Sequence, residues 1–125
     1  MNESAGFDLK DVNLTLRDTL AVIAEAVSDK KGTEPVFLDL RGVVDYLDVI
    51  CITSGETSLQ NRAVADRVVE RLKNCDIIPL SLQGYEDGSW ILLDYGAFVV
   101  HVMLPELRSF YRLEELWSEG RLITV

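Results

Sequence analysis

Apolar residues recur along this chain with changing period, and each period predicts a different element. Between residues 13 and 29, Leu16, Leu20, Ile23, Ala24 and Val27 return at helical spacing. That spacing predicts an amphipathic helix with one apolar stripe. Lys30 and Lys31 follow where a helix end favours cations, and Gly32 is placed to take the left-handed stop. Residues 1–12 carry no period and read as a loose tail, leaving 13–125 as a single α/β domain.

The period then shortens. From 36 to 40, Val36, Leu38 and Leu40 share one face of a predicted strand, with Phe37 and Asp39 on the other. From 48 to 53 the run through Val49, Ile50, Cys51 and Ile52 is apolar on both faces, which suits a central strand covered on both sides. Thr57, with Gln60 three residues on, forms a capping box that starts a helix running to about residue 74. Its Ala65, Val68, Val69 and Leu72 fall on the buried side.

A third strand is predicted over 77–82, at an edge because Pro79 cannot donate to a ladder. A hairpin follows, with arms 90–94 and 98–104 around a Tyr95-Gly96 turn. Pro105 then opens a last helix holding Leu107, Phe110, Tyr111, Leu113, Leu116 and Trp117, and Gly120 closes it. The order is α-β-β-α-β-β-β-α. This is one mixed sheet of about five strands flanked by helices, because hairpins and a helical crossover join the strands.

Charge narrows the partners. Twelve basic residues against 21 acidic ones give the 125-residue chain a net charge of −9. Such a surface repels phosphate, so sequence-specific nucleic-acid binding is not expected, and a basic protein partner is favoured. Cys51 and Cys75 make no disulfide framework, and the N-terminal residues resemble neither a secretion signal nor a transit peptide. No apolar run is long enough to span a bilayer, so a cytoplasmic setting is expected.

Catalytic chemistry finds little support. Neither GxGxxG nor GxxxxGK[ST] occurs, and Ser54-Gly55 before a helix reads as a capped turn. His101 is the only histidine, and the cysteines lack zinc spacing. Asp39, Asp45, Asp48 and Asp94 are the one carboxylate set to weigh. A divergent metal-dependent nucleotidyltransferase using Asp39, Asp48 and Asp94 is therefore the alternative. We expect no catalytic residues, metal or cofactor. What remains is an aromatic-rich C-terminal region, Trp90 to Trp117, that also carries Arg108 and Arg112; Trp, Tyr and Arg are the types that dominate interface hot spots.

Three collinear blocks carry a resemblance. Asp45-Tyr46 with DVICITSGETSLQNRAVAD (48–66) is similar to a D-[YF]…[VI]-I…S-G-x-[ST]-x-x-Q…A-I-A-D pattern. GSWILLDYGAFVVHVM (88–103) is similar to a G-x-W…L-D-[YF]-G-D…V-H-[VI]-F core, with Ala97 in place of its acidic residue. RSFYRLEELW (108–117) matches an R-x-[FY]-Y-x-L-E-x-L-[WY] ending. Together these resemble the Iojap, or ribosomal silencing factor, family. The resemblance implies a nucleotidyltransferase-like fold without catalytic residues. It also implies a non-enzymatic partner role: docking on the large ribosomal subunit through the fourteenth large-subunit ribosomal protein. Subunit joining would be blocked and translation repressed when nutrients are scarce. Trp90, Asp94, Tyr95 and His101 on the hairpin, with Arg108 and Tyr111 beyond it, are the expected docking residues. A homodimer through an exposed strand edge is a third reading that the sequence leaves open.

Overall fold

The strand that is apolar on both faces lies in the sheet interior, as its composition requires. In the computed structural model, which describes residues 7–125 and their side chains from residue 16 onward, β2 (Val49–Thr53) is buried along its whole length. It pairs antiparallel with β1 (Val36–Asp39) and parallel with β5 (Phe98–Met103). The hairpin partner β4 (Trp90–Asp94) and then β3 (Ser81–Gln83) extend the sheet on the β5 side. On the β1 side a sixth strand, β6 (Arg121–Ile123), closes the order β3-β4-β5-β2-β1-β6. The fold is mixed α/β, with one more strand than the periodicity predicted.

Two layers cover the sheet. The helices α1 (Phe7–Asp29) and α2 (Ser58–Lys73) pack on one face, where Leu20, Ile23 and Val27 meet Phe37, Cys51, Ile91, Val100 and Val102. The short helices α3 (Pro105–Tyr111) and α4 (Leu113–Leu116) lie on the other. There Leu113, Leu107 and Trp117 pack with Leu38, Leu40, Ile50, Ile52 and Met103. The alternation of β1 and β5 side chains between these two clusters is the period-two signature of a strand buried on both faces.

Several boundaries differ from the sequence reading. The first helix begins at Phe7, so it takes in part of the expected tail; residues 1–6 of that tail lie outside the described residues. Lys31, not Gly32, adopts the left-handed conformation, with φ 63°. Gly32 is needed for close approach instead: a Cβ there would lie 2.8 Å from Val27 Cγ1. The last predicted helix breaks at Arg112, whose φ of 50° and ψ of 53° end α3 and start α4. Gly120 then leads into β6 rather than only closing a helix.

Local capping ties the helical layer together. The Gln60 N–H donates to Thr57 Oγ1 at 3.1 Å, as the capping box predicts. Gln60 Oε1 accepts from the Glu56 N–H at 2.7 Å, while its Nε2 donates to the Lys30 and Lys31 carbonyls at 3.1 and 2.9 Å. One side chain thereby satisfies orphan groups at the start of α2 and the end of α1.

Candidate functional site

Strand register decides which hairpin residues share a face. Trp90 lies opposite Met103, Leu92 opposite His101, and Asp94 opposite Val99. Met103 and Trp90 belong to the α3–α4 side, so Leu92, Val99, His101 and Asp94 face that side too. The cover given by α3 and α4 thins out there: Leu92, Val99 and His101 are all half-buried, whereas Ile91, Leu93, Val100 and Val102 on the opposite face are fully buried.

An aromatic array crosses from solvent onto this open face. The Phe110 ring meets Tyr111 edge-on at 5.1 Å, Tyr111 lies 4.9 Å from Trp90, and Trp90 lies 5.9 Å from His101. These tilted and edge-on arrangements are the ones ring quadrupoles favour. Phe110 is 75% exposed and Tyr111 51% exposed, in a helix that buries no residue completely. These two large aromatics are left in water at the rim of the open sheet face and are not part of the core.

His101 is set by its neighbours. Trp90 Nε1 donates to His101 Nδ1 at 3.0 Å, so Nδ1 is the acceptor and Nε2 carries the ring proton. Burial pushes its pKa down to about 4. At neutral pH the ring is therefore neutral and presents a donor, not a charge.

The six residues expected to dock do not all converge. Trp90, His101 and Tyr111 form the array. Asp94 shares their face at the far end of β4, where its Oδ1 accepts the Gly96 N–H at 2.8 Å and shapes the turn. Arg108 lies on α3, but its guanidinium turns inward. It donates to Glu114 at 2.9 and 3.2 Å and lies 3.3 Å from both Thr33 Oγ1 and Ser54 Oγ. It acts as a strut between α3 and the loops at one end of the sheet. Tyr95 goes to the opposite layer: its ring stacks on Phe98 at 4.8 Å and packs against the α1–α2 core. Its hydroxyl is buried without a hydrogen-bond partner among the described residues, and burial raises its pKa to about 12.

The expected docking set left out Phe110, which the sequence reading had placed only in the aromatic-rich region, and the reading passed over Asn61, Leu92 and Val99. Asn61 is fully buried, accepts the Gly55 N–H and donates to the Gly88 carbonyl, both at 2.8 Å. It fastens the loop before α2 to the loop that launches Trp90. A polar residue inside an otherwise apolar helix stripe was its only signal in the sequence.

The alternative acid set stays apart. Asp39 is engaged by Arg41, Asp94 caps its own turn, and Asp48 is exposed in the connection before β2. Among the described residues no three His, Cys, Asp or Glu side chains are grouped to hold a metal. Burial pushes the Cys51 thiol far above its ordinary pKa, so it is no nucleophile. Among the described residues no helix is long and apolar enough to cross a membrane.

Comparison with known proteins adds independent findings. A sequence profile described as "Ribosomal silencing factor during starvation" matches residues 13–125. Ribosomal silencing factor RsfS of Chromobacterium violaceum is 32% identical over 105 residues, covering 84% of this chain and 86% of that protein. The factor of the same name from Bacillus subtilis is 30% identical, covering 85% of this chain and 90% of that one. A crystal structure of a Chromobacterium violaceum protein superposes with a TM-score of 0.78 at 32% identity, covering 82% of this chain and 85% of that one.

Proposed function

The chain belongs to the ribosomal silencing factor family, and from that premise we propose that it silences by docking rather than by chemistry. The partner in this reading is the fourteenth large-subunit ribosomal protein, on the face that meets the small subunit. The docked domain excludes the small subunit by its bulk, and translation falls when nutrients are scarce. The setting is the cytoplasm.

The observation that carries the reading is the exposed aromatic array of Phe110 and Tyr111, continuous with Trp90 and His101 on the half-covered β4–β5 face. A docking site of ordinary size needs about 800 Å² on each partner, with a few aromatic anchors carrying most of the energy. The net charge of −9 favours a basic protein over bare RNA as the thing touched.

A second occupant has its own support. Ile78, Leu80 and Leu82 are exposed along and beside the edge strand β3, whose outer backbone groups are a template for a second copy. Homodimerisation there would leave the β4–β5 face available.

Sedimentation with separated subunits tests the main reading. The protein is expected to travel with the large subunit and to reduce the joined particle. Phe110→Ala with Tyr111→Ala is expected to weaken binding by about ten- to a hundred-fold, as loss of hot-spot aromatics does. Stability should change by under about 1 kcal/mol, because both side chains are mostly solvated. A protein that stays at the top of the gradient, or a double variant that binds unchanged, defeats the proposal.

A further inference from the structure

The Ser54-Gly55 turn, which reads in the sequence as a helix cap, carries more contacts than a cap needs. The Thr33 N–H donates to the Ser54 carbonyl at 2.8 Å, and the Ser54 N–H donates to Thr33 Oγ1 at 3.0 Å. Thr53 Oγ1 adds a bond to the Thr33 carbonyl at 2.6 Å. Thr53, Ser54 and Gly55 are all buried. The turn is thus a fixed footing at the end of β2.

Two arms leave this footing, and each ends at the aromatic array. One starts at Gly55, whose N–H donates to Asn61 Oδ1; Asn61 Nδ2 donates in turn to the carbonyl of Gly88, just before Trp90. Only glycine fits there, because a Cβ on Gly55 would lie 2.7 Å from Asn61 Oδ1. The other arm starts at the Ser54 and Thr33 hydroxyls. Arg108 Nη1 donates to both at 3.3 Å, while its Nε and Nη2 fork onto the Glu114 carboxylate at 3.2 and 2.9 Å. The Arg108 side chain is only 16% exposed. Through it the footing grips α3, which carries Phe110 and Tyr111, and the Glu114 fork bridges the helix break at Arg112.

Helix α3 needs such a tie. Isolated helices below ~12–15 residues are marginal, and α3 has seven. It buries no side chain completely: Pro105, Leu107 and Arg108 are half-buried, and the rest are exposed. A planar guanidinium donates in several fixed directions at once, which suits it to set an orientation and not merely a distance.

We propose that Arg108 is a positioning residue for the docking array: it sets α3 on the Ser54-Gly55 footing so that Tyr111 stays against Trp90, and it does not touch the partner. The effect on binding rests on the docking reading, whereas the positioning is a property of the free protein. Both halves of the array then hang from one turn, which fixes their relative placement before any partner arrives and lowers the ordering cost of binding.

The Trp90 Nε1–H resonance of the free full chain reads the position of Tyr111, whose ring lies 4.9 Å away. Arg108→Gln is expected to move that resonance towards its place in Tyr111→Ala, and to weaken large-subunit binding about ten-fold. In the Phe110→Ala, Tyr111→Ala background the same substitution is expected to cost nothing further, because α3 then has no anchors to misplace. Ser54→Ala keeps the Glu114 fork and alters a buried side chain. It is expected to show the same two changes at smaller size, and it carries the test if Arg108→Gln does not fold. An unmoved Trp90 resonance in these variants, or unchanged binding where the wild type binds, overturns the proposal. So does an additive loss in the aromatic-free background, which would make Arg108 a direct contact. The resonance is read without ribosomes, so a failed docking reading and a failed strut give different results.

Discussion

His101 links packing to a measurable pH response. Its ring accepts a hydrogen bond from Trp90 and is largely removed from water, which drives its pKa from the ordinary 6.5 down to about 4. The unfolded chain therefore takes up a proton near pH 6.5 that the folded chain refuses until about pH 4. Stability contributed by the neutral ring is complete above pH 6.5 and is lost progressively as pH falls towards 4. The loss is of the order of 3 kcal/mol. Asp39, held below the ordinary carboxylate range chiefly by its hydrogen bond to Arg41, contributes its own loss only at more acid pH. Denaturant unfolding of the wild type and of His101→Gln across pH 7 to about 4 checks the assignment. The wild type should weaken over that range and the variant should stay nearly flat; equal slopes would place the titration elsewhere. The same residue adds no charge to the proposed docking face: at neutral pH it offers a ring and one N–H donor.

At the scale of elements, two loops at one end of the sheet are pinned to each other. Asn61 on α2 holds the Gly55 amide and the Gly88 carbonyl, and all three residues are buried. Asn61→Ala leaves a buried donor and a buried acceptor without partners, which costs about 2–4 kcal/mol. Amide exchange should quicken around residues 54–57 and 86–89, where the loops lose their tie. Wild-type stability in that variant would show that water replaces both bonds at no cost. Such long-range ties are what the sequence conceals. The Thr57–Gln60 capping box was legible because both partners lie within one helical turn. The break at Arg112 was not, because Leu107, Phe110, Tyr111, Leu113, Leu116 and Trp117 keep helical spacing straight through it. Strand β6 was equally hidden: Arg121–Ile123 is too short to show a period, and only pairing with β1 makes it a strand. Trp90 and His101 could be placed on one face by counting along the hairpin. Tyr95, in the turn, obeys no such parity, and its ring turned to the other layer. The inward turn of Arg108 depends on Thr33, Ser54 and Glu114, contacts far beyond local pattern.

For the molecule as a whole, the charge distribution decides what binding should feel like in solution. A net charge of −9 puts two opposing forces on approach to a ribosomal surface: repulsion from RNA and attraction to a basic protein. Their ranges differ. At ~0.1 M salt the Debye length is about 10 Å, so distant phosphates are screened while a protein met face to face is not. Binding to the isolated ribosomal protein should therefore weaken steadily with added salt, through a slower association rate. If the proposed aromatic array of Phe110, Tyr111 and Trp90 holds the partner, dissociation should barely change. Binding to the intact subunit should respond less steeply, because salt also relieves repulsion from RNA. Association kinetics from about 0.1 to 0.5 M salt, measured on both partners, distinguish the terms. An association rate that is indifferent to salt with the isolated protein would remove charge from the recognition mechanism and leave the aromatic array to supply it alone. A steeper response with the intact subunit than with the isolated protein would mean that this acidic chain makes phosphate contacts there.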